Sequence, residues 1–288
     1  MVSLVLCLLV SAVAAAFWAA KAMRLQRRPQ AIAATAAGLA CNTAAFCLVM
    51  HERNIQTRPA SQPPLNVSNP TSANGGLWVE HVMLAGSTFT IVTVDLQQAK
   101  LRLFWKRPDG SRFGSFKALS DDLQAKHQRL VFAANAGIFD RSFTPCGLHV
   151  EAGVEYVPLN LGDGQGNFYM KPNGVFLVDD SGARIVESSK YGGTNQGMRL
   201  ATQSGPLLVL DGRINPQFAP ASTNRRLRSG VGLSSAQHVH FVISDKAITF
   251  HQLASLFRDR LGCREALYLD GVISRFYLPN GGRGNERR

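Results

Sequence analysis

The sequence predicts an α+β domain: a strand-rich, mixed or antiparallel sheet with few helices, preceded by one or two N-terminal membrane segments. Three observations predict it. Short runs rich in β-branched and aromatic residues recur from residue 88 onward. Asp-Gly and Asp-Ser-Gly turns join several of them into hairpins, which pairs neighbours antiparallel. Helical spacing shows in only two places, and no internal repeat is found.

The strands read "TFTIVTVDL" (Thr88–Leu96), "KLRLFWK" (Lys100–Lys106) and "RLVFAAN", a buried run ending at Asn135. "GVFLVDDSGARIVES" is a hairpin about Asp180, Ser181 and Gly182, and "PLLVLDGRIN" is another about Asp211-Gly212. "HVHFVIS" and "EALYLD" complete the set. The first helix is "SFKALSDDLQAKHQ", with Phe116, Leu119 and Leu123 on one face. The second is "TFHQLASLFRDRLG", where Thr249 and Gln252 make a capping box and Gly262 is the stop.

Residues 1–20 and Ala31–Met50 lack any charged side chain, and each has the length of a membrane span. Lys21, Arg24, Arg27 and Arg28 lie between them, which sets that loop in the cytoplasm. Residues 1–50 thus read as a membrane hairpin, or as a signal or anchor region if translation starts at Met23. Either way residues 77–288 are expected on the periplasmic or extracellular side. Residues 51–76, rich in Pro, Ser, Asn and Gly, read as a linker.

The net charge is +12, of which the first fifty residues carry +4, leaving 12 − 4 = +8. That balance suits an anionic partner. No basic helix or aromatic-basic ribbon of the nucleic-acid kind stands out, so nucleic acid is not expected. Cys146 and Cys263 are the two cysteines outside the apolar segments, and their spacing does not predict a disulfide. His238 and His240 alternate along a strand and share a face, but no third ligand is evident; no metal and no cofactor is expected. His149 follows "TPCGL" and reads as a candidate near the cleft, and His251 reads as surface. "LGDGQGN" (Leu161–Asn167) lacks the Lys-Ser or Lys-Thr of a phosphate cradle and reads as a rim loop, with a calcium loop as alternative.

Asp270 stands out within "LYLDGVISRFYLP" as a carboxylate in an apolar run. It reads either as a plain Asp-Gly turn or as a site residue at a strand end. Arg228, in "RRLRSGVG", reads as a phosphate fork or as part of a solvated run with Arg225 and Arg226. Ser204 has no Gly-x-Ser-x-Gly frame, so a contact or turn role is expected rather than nucleophilic attack.

Four segments in order, "NAGIF" (Asn135–Phe139), "KPNGVF" (Lys171–Phe176), "QSGPLLV" (Gln203–Val209) and "RSGVG…LYLDGVIS" (Arg228–Gly232, Leu267–Ser274), resemble the phosphodiester glycosidase family. The resemblance spans roughly Leu77 to Pro279. It implies an exported hydrolase that cleaves a glycosyl phosphodiester, a sugar-1-phosphodiester of an envelope or exopolysaccharide component. The alternatives are a non-catalytic protein that binds glycan phosphate and a membrane-anchored assembly scaffold. It implies Asp270 and Arg228 as catalytic residues, and Asn135, Gly137, Asn173, Gly174, Ser204, Gly205, Gly271 and Ser274 as substrate-binding residues. Two glycines usual in the family's Leu-Asp-Gly-Gly-Gly-Ser run are Val272 and Ile273 here, and Ala136 and Ile138 depart from its Asn-Gly-Gly-Phe-Phe run.

Overall fold

A computed structural model describes residues 47–51, 71–73, 75–84, 86–193, 197–271 and 274–279. In chain order the strands are β1 (Cys47–His51), β2 (Thr71–Ala73), β3 (Leu77–Leu84), β4 (Ser87–Asp95), β5 (Lys100–Phe104), β6 (Ala133–Ala134), β7 (His149–Glu151) and β8 (Val154–Val157). Then come β9 (Gly174–Asp179), β10 (Gly182–Glu187), β11 (Leu200–Ser204), β12 (Leu207–Leu210), β13 (Arg213–Ile214), β14 (Ser229–Leu233), β15 (His238–Ser244), β16 (Glu265–Tyr268) and β17 (Phe276–Tyr277). The helices are α1 (Phe116–Ala125) and α2 (Phe250–Ser255), the second continuing as a π-helical stretch, Leu256–Arg260.

An eight-stranded sheet has the order β13-β12-β16-β14-β15-β4-β3-β2, and a five-stranded sheet the order β10-β9-β11-β7-β8. β1 pairs with β5, and β6 with β17. Every pairing among the described residues is antiparallel, so of the two expected sheet types the antiparallel one holds.

Alternation explains the layering. Val92 and Val94 of β4, Val231 and Leu233 of β14, and Val239, Phe241 and Ile243 of β15 join Phe176 and Val178 of β9 in one apolar cluster. One face of each sheet therefore meets the other. The opposite face of the large sheet (Phe89, Ile91, Leu208, Val242, Ala266, Tyr268) is covered by Phe250, Leu253, Leu256 and Phe257. β4 is buried on both sides, which is why it reads as a continuous apolar run. α1 closes a smaller cluster with Phe113, Leu130 and Ala133 through Leu119 and Leu123.

Both hairpins form where the turns predict them. Asp179 pairs with Gly182 across Asp180-Ser181. Leu210 pairs with Arg213 across Asp211-Gly212, both with positive φ, the primed geometry hairpins favour. The run expected as a strand to Asn135 shrinks to Ala133–Ala134. The sheet begins upstream of Leu77, because β2 pairs with β3. Most of the two apolar segments lies outside the described residues. Cys47–Met50, the end of the second, belongs to β1. Among the described residues no helix is long and apolar enough to cross a membrane. Cys146 and Cys263 are both free thiols.

Candidate active site

The site grows from the parity of β14 and β16. Val231 and Leu233 face the intersheet core, so Gly230 and Gly232 face the helix. A Cβ on Gly230 would lie 3.0 Å from Phe257, and one on Gly232 at 2.5 Å. The glycines thus let Phe257 lie on the strand. Arg228, two residues before Gly230, keeps that face. Tyr268, paired with Gly230 in register, shares it. Phe250 at the start of α2 binds both. Its ring lies 3.6 Å from the Arg228 guanidinium carbon and meets Tyr268 edge-on at 4.9 Å, while Phe218 stacks on it at 4.9 Å.

Arg228 is 1% exposed. Its Nε donates to the Ile248 carbonyl at 2.9 Å and an Nη to the Asn224 carbonyl at 3.1 Å. Its guanidinium carbon also lies 5.8 Å from the centre of the Tyr268 ring. Burial draws its pKa down. Two backbone carbonyls thus hold one side of the guanidinium that the sequence offers as a phosphate fork. Arg225 and Arg226, just upstream, are exposed, and the Arg226 charge acts on Arg228.

Asp270 follows β16, and its carbonyl accepts from Ser229 N at 2.9 Å. Its Oδ1 accepts from Gly271 N at 2.5 Å. Its Oδ2 is sealed from solvent, with no hydrogen-bond partner among the described residues. Burial pushes the carboxyl up to about 6, against a smaller opposing pull from the Gly271 N–H. The other Asp turns differ: Asp211 takes positive φ in its hairpin, and Asp179 is bonded to Ser181 and Arg184. A turn residue needs no orphaned buried oxygen.

Tyr268 was read in sequence only as a strand residue. Burial, with the Asp270 charge adding to it, pushes its phenol up to about 12 against the pull of Arg228 and Asn167. A Cβ on Gly271 would overlap the phenol oxygen and come within 3.3 Å of the Leu227 carbonyl, so Gly271 is a close-approach glycine. Asn167, at the end of the loop read as a rim, thereby enters the site. Spacing held the signal for Tyr268, since residues 268 and 270 are two apart; Asn167 had none.

The remaining candidates gather around this turn, mostly as supports. Ser274 N donates to Gly271 O at 3.0 Å, and the Ser274 and Ser229 hydroxyls pair at 2.8 Å. Asn135 Oδ1 accepts from Arg275 N at 3.0 Å, tying the first motif to the last. Gly137 N donates to Thr202 Oγ1 at 3.2 Å, and a Cβ there would overlap Gln203 O. Ser204 is fully buried and donates to Leu269 O at 3.0 Å, so the expected substrate contact becomes a strut under Asp270. Gly205 packs on Asn173, whose Nδ2 donates to Phe168 O at 2.9 Å. Gly174 abuts Leu207, a packing contact instead of the expected substrate contact. Gln203, also missed as a site residue, accepts from Leu148 N and Asn160 N and donates to Asn160 O and Ser188 Oγ.

His240 has hydroxyls on both ring nitrogens, Thr93 at 2.9 Å and Ser234 at 2.8 Å, and burial lowers its pKa to about 4. Among the described residues no group of three His, Cys, Asp or Glu side chains is placed to hold a metal ion. His149 is fully buried, with its Nε2 on Glu151 Oε1 at 2.7 Å.

Residues 128–285 match the phosphodiester glycosidase family model. The chain belongs to the phosphodiester glycosidase family. All ten candidate residues, from Asn135 to Ser274, fall within the matched span. Consistent with this membership, the chain is 35% identical over 200 residues to the uncharacterized protein YigE of Escherichia coli, covering 69% of this chain and 78% of that one. Among solved structures it is similar to the catalytic domain of zebrafish N-acetylglucosamine-1-phosphodiester alpha-N-acetylglucosaminidase auto-inhibited by its pro-peptide. That likeness has a TM-score of 0.47 at 13% identity, covering 80% and 78% of the two chains. A hypothetical protein from Synechocystis gives 0.42 at 16% identity, covering 70% and 57%.

Proposed function

We propose that this family member hydrolyses a glycosyl phosphodiester, with Asp270 acting at the sugar. One observation carries the reading: Asp270 Oδ2 is buried and unpartnered while its carboxyl is held near neutrality. In the reaction the bond between the anomeric carbon and the phosphate oxygen breaks. The phosphate monoester leaves with the bonding pair, and water supplies the new hydroxyl at the anomeric carbon. A phosphate leaves as a stabilised anion, so a second carboxylate as proton donor is not required in the way an ordinary glycoside requires one. The Asp270 carboxylate either takes a proton from the attacking water or attacks the anomeric carbon to give an ester that water then opens. The exposed Arg225 and Arg226 supply positive charge for the phosphate. Asn135 and Ser274 hold the turn in place.

The substrate we infer is an envelope or exopolysaccharide component met outside the cytoplasm, since the acid-free N-terminus supports export. The purified protein and its Asp270→Asn variant, incubated with sugar-1-phosphodiesters including N-acetylglucosamine-1-phosphate esters, test the reading. Free sugar is expected from the wild type alone, with substrate affinity retained in the variant. Equal release from both would acquit Asp270. Binding without release by either would make the chain a glycan-phosphate-binding protein, the reading favoured by Val272 and Ile273 where the family carries glycine.

A further inference from the structure

We propose that the end of β5 and the loop after it form a second binding surface, for an anionic polymer: Arg102, Lys106, Arg107 and Arg112, each laid over an aromatic ring, bind the phosphates of a phosphodiester-linked glycan.

Residues 100–113 read "KLRLFWKRPDGSRF", five cations to one acid, 5 − 1 = +4. Alternation in β5 turns Leu101 and Leu103 inward and leaves Lys100 and Arg102 exposed. The Arg102 guanidinium carbon lies 4.5 Å from the centre of the Phe104 ring, and Lys106 Nζ lies 3.9 Å from that of Trp105. The Arg107 and Arg112 guanidinium carbons lie 4.7 Å from Phe113 and 5.6 Å from Phe143. Contacts join the rings in turn. Phe104 meets Phe113 edge-on at 5.9 Å, and Trp105 Nε1 donates to the Phe143 carbonyl at 3.0 Å. The loop is held closed: Lys106 and Arg112 are bridge partners, and Arg107 donates from N to Ser111 O and from Nη1 to Arg112 O, both at 2.7 Å. Four like charges are thus fixed in one short stretch, a grouping that repels itself unless an anion meets it. Among the described residues none of the four makes an ion pair, while Lys and Arg side chains elsewhere do, Lys117, Lys126 and Arg184 among them. The acids bordering the patch are engaged otherwise. Asp109 Oδ1 accepts from Ser111 N, Asp140 Oδ1 accepts from Ser142 N and Thr144 N, and Glu151, whose charge acts on Arg102, is bonded to His149.

The make-up of the patch selects its partner. Trp105 and Phe113 are each 6% exposed, and a cation lies over each of the four rings, which leaves little bare ring for a nucleic-acid base to stack on. Among the described residues the exposed large apolar side chains are Met83, Leu84, Val154, Tyr156 and Leu161, and none belongs to the patch, so it has nothing to insert into lipid. A set of fixed cations suits phosphates recurring along a hydrophilic chain. The patch also adjoins the first motif: the Phe143 ring lies 5.8 Å from that of Phe139, which ends the segment beginning at Asn135. The identity of the polymer rests on the hydrolase reading above; the affinity of the patch for a polyanion does not.

The test is calorimetric titration of the full chain, at low salt, with phosphomannan, a polymer that carries sugar-1-phosphodiesters, and with neutral dextran of equal length. Lys106→Gln/Arg112→Gln removes two of the charges and keeps the hydrogen bonds that close the loop. The wild type is expected to bind phosphomannan and not dextran, and this double variant to bind it about tenfold more weakly with a shallower salt dependence. Arg258→Gln/Arg260→Gln, which removes as much charge from the stretch after α2, should stay within about twofold of wild type. Asp270→Asn should bind as wild type does. A wild type that ignores phosphomannan overturns the proposal. So does equal binding by Lys106→Gln/Arg112→Gln, or an equal loss in Arg258→Gln/Arg260→Gln, which would make net charge the cause. Tighter binding of a single-stranded thymidine oligomer, or of phosphatidylglycerol vesicles, than of phosphomannan overturns it as well. Turnover of a small sugar-1-phosphodiester separates this proposal from the hydrolase reading. Release of sugar, with polymer binding unmoved by the patch variant, sinks the patch alone. Polymer binding weakened in that variant, with no release from any small ester, sinks the hydrolase reading alone.

Discussion

Asp270 is ionised at neutral pH against the preference of its surroundings. Its carboxyl is raised from 3.8 to about 6, so the folded state binds that proton more tightly than the unfolded chain does. The associated stability is fully present below pH 4 and is lost as pH rises through 6. Removing the charge should therefore help folding at pH 7. Asp270→Asn is expected to raise unfolding stability there by about 2–3 kcal/mol, from a shift of roughly two units. The gain should disappear below pH 4; urea unfolding at both pH values checks it. The same group sets the rate. As base or nucleophile Asp270 must be ionised, so kcat/KM should climb with unit slope up to about pH 6 and then level off. A fall above pH 6 would make it a proton donor instead. A variant that gains stability and loses turnover marks a residue kept for chemistry. Gly271→Ala is the steric counterpart: its Cβ would overlap the clamped phenol, and a loss of about 1–3 kcal/mol in urea unfolding is expected.

At the scale of elements, the alternating glycines of β14 join sequence to site. Gly230 and Gly232 open a groove for Phe257, which seats α2 and so fixes Phe250 over Arg228. Gly232→Ala should lower stability by about 1–3 kcal/mol, because its Cβ meets the Phe257 ring at 2.5 Å and the Cys263 sulfur at 3.0 Å. Phe257→Leu in the same chain should recover part of that loss; thermal unfolding of the four variants measures the coupling. Much here was legible in advance. The Thr249–Gln252 capping box forms on both of its arms, and both hairpins turn where Asp and Gly place them. These signals are local, carried by a few neighbouring residues. Asn167 and Gln203 were not legible as site residues, because their roles depend on partners 101 and 43 to 55 residues away in the chain. The partners of Arg228 were hidden for the same reason: nothing local says that Ile248 and Asn224 turn their carbonyls toward it. Motif order located the site. Which members touch substrate and which prop it is a matter of tertiary contacts.

For the whole molecule, the consequence lies upstream of Leu77. β1 is hydrogen-bonded along β5 from Cys47↔Phe104 to His51↔Lys100, and β2 covers the edge of β3. A domain cut at Leu77 would lose both covering strands and expose the backbone edges of β3 and β5. An uncovered edge is a template for another chain, and β3 already carries the exposed Met83 and Leu84. A chain spanning residues 43–288 should therefore remain monomeric where one spanning residues 77–288 self-associates. Its midpoint of thermal unfolding should be higher by several degrees. Light scattering and calorimetry on the two chains decide it: equal midpoints and equal monodispersity would mean that β1 and β2 add nothing to the fold.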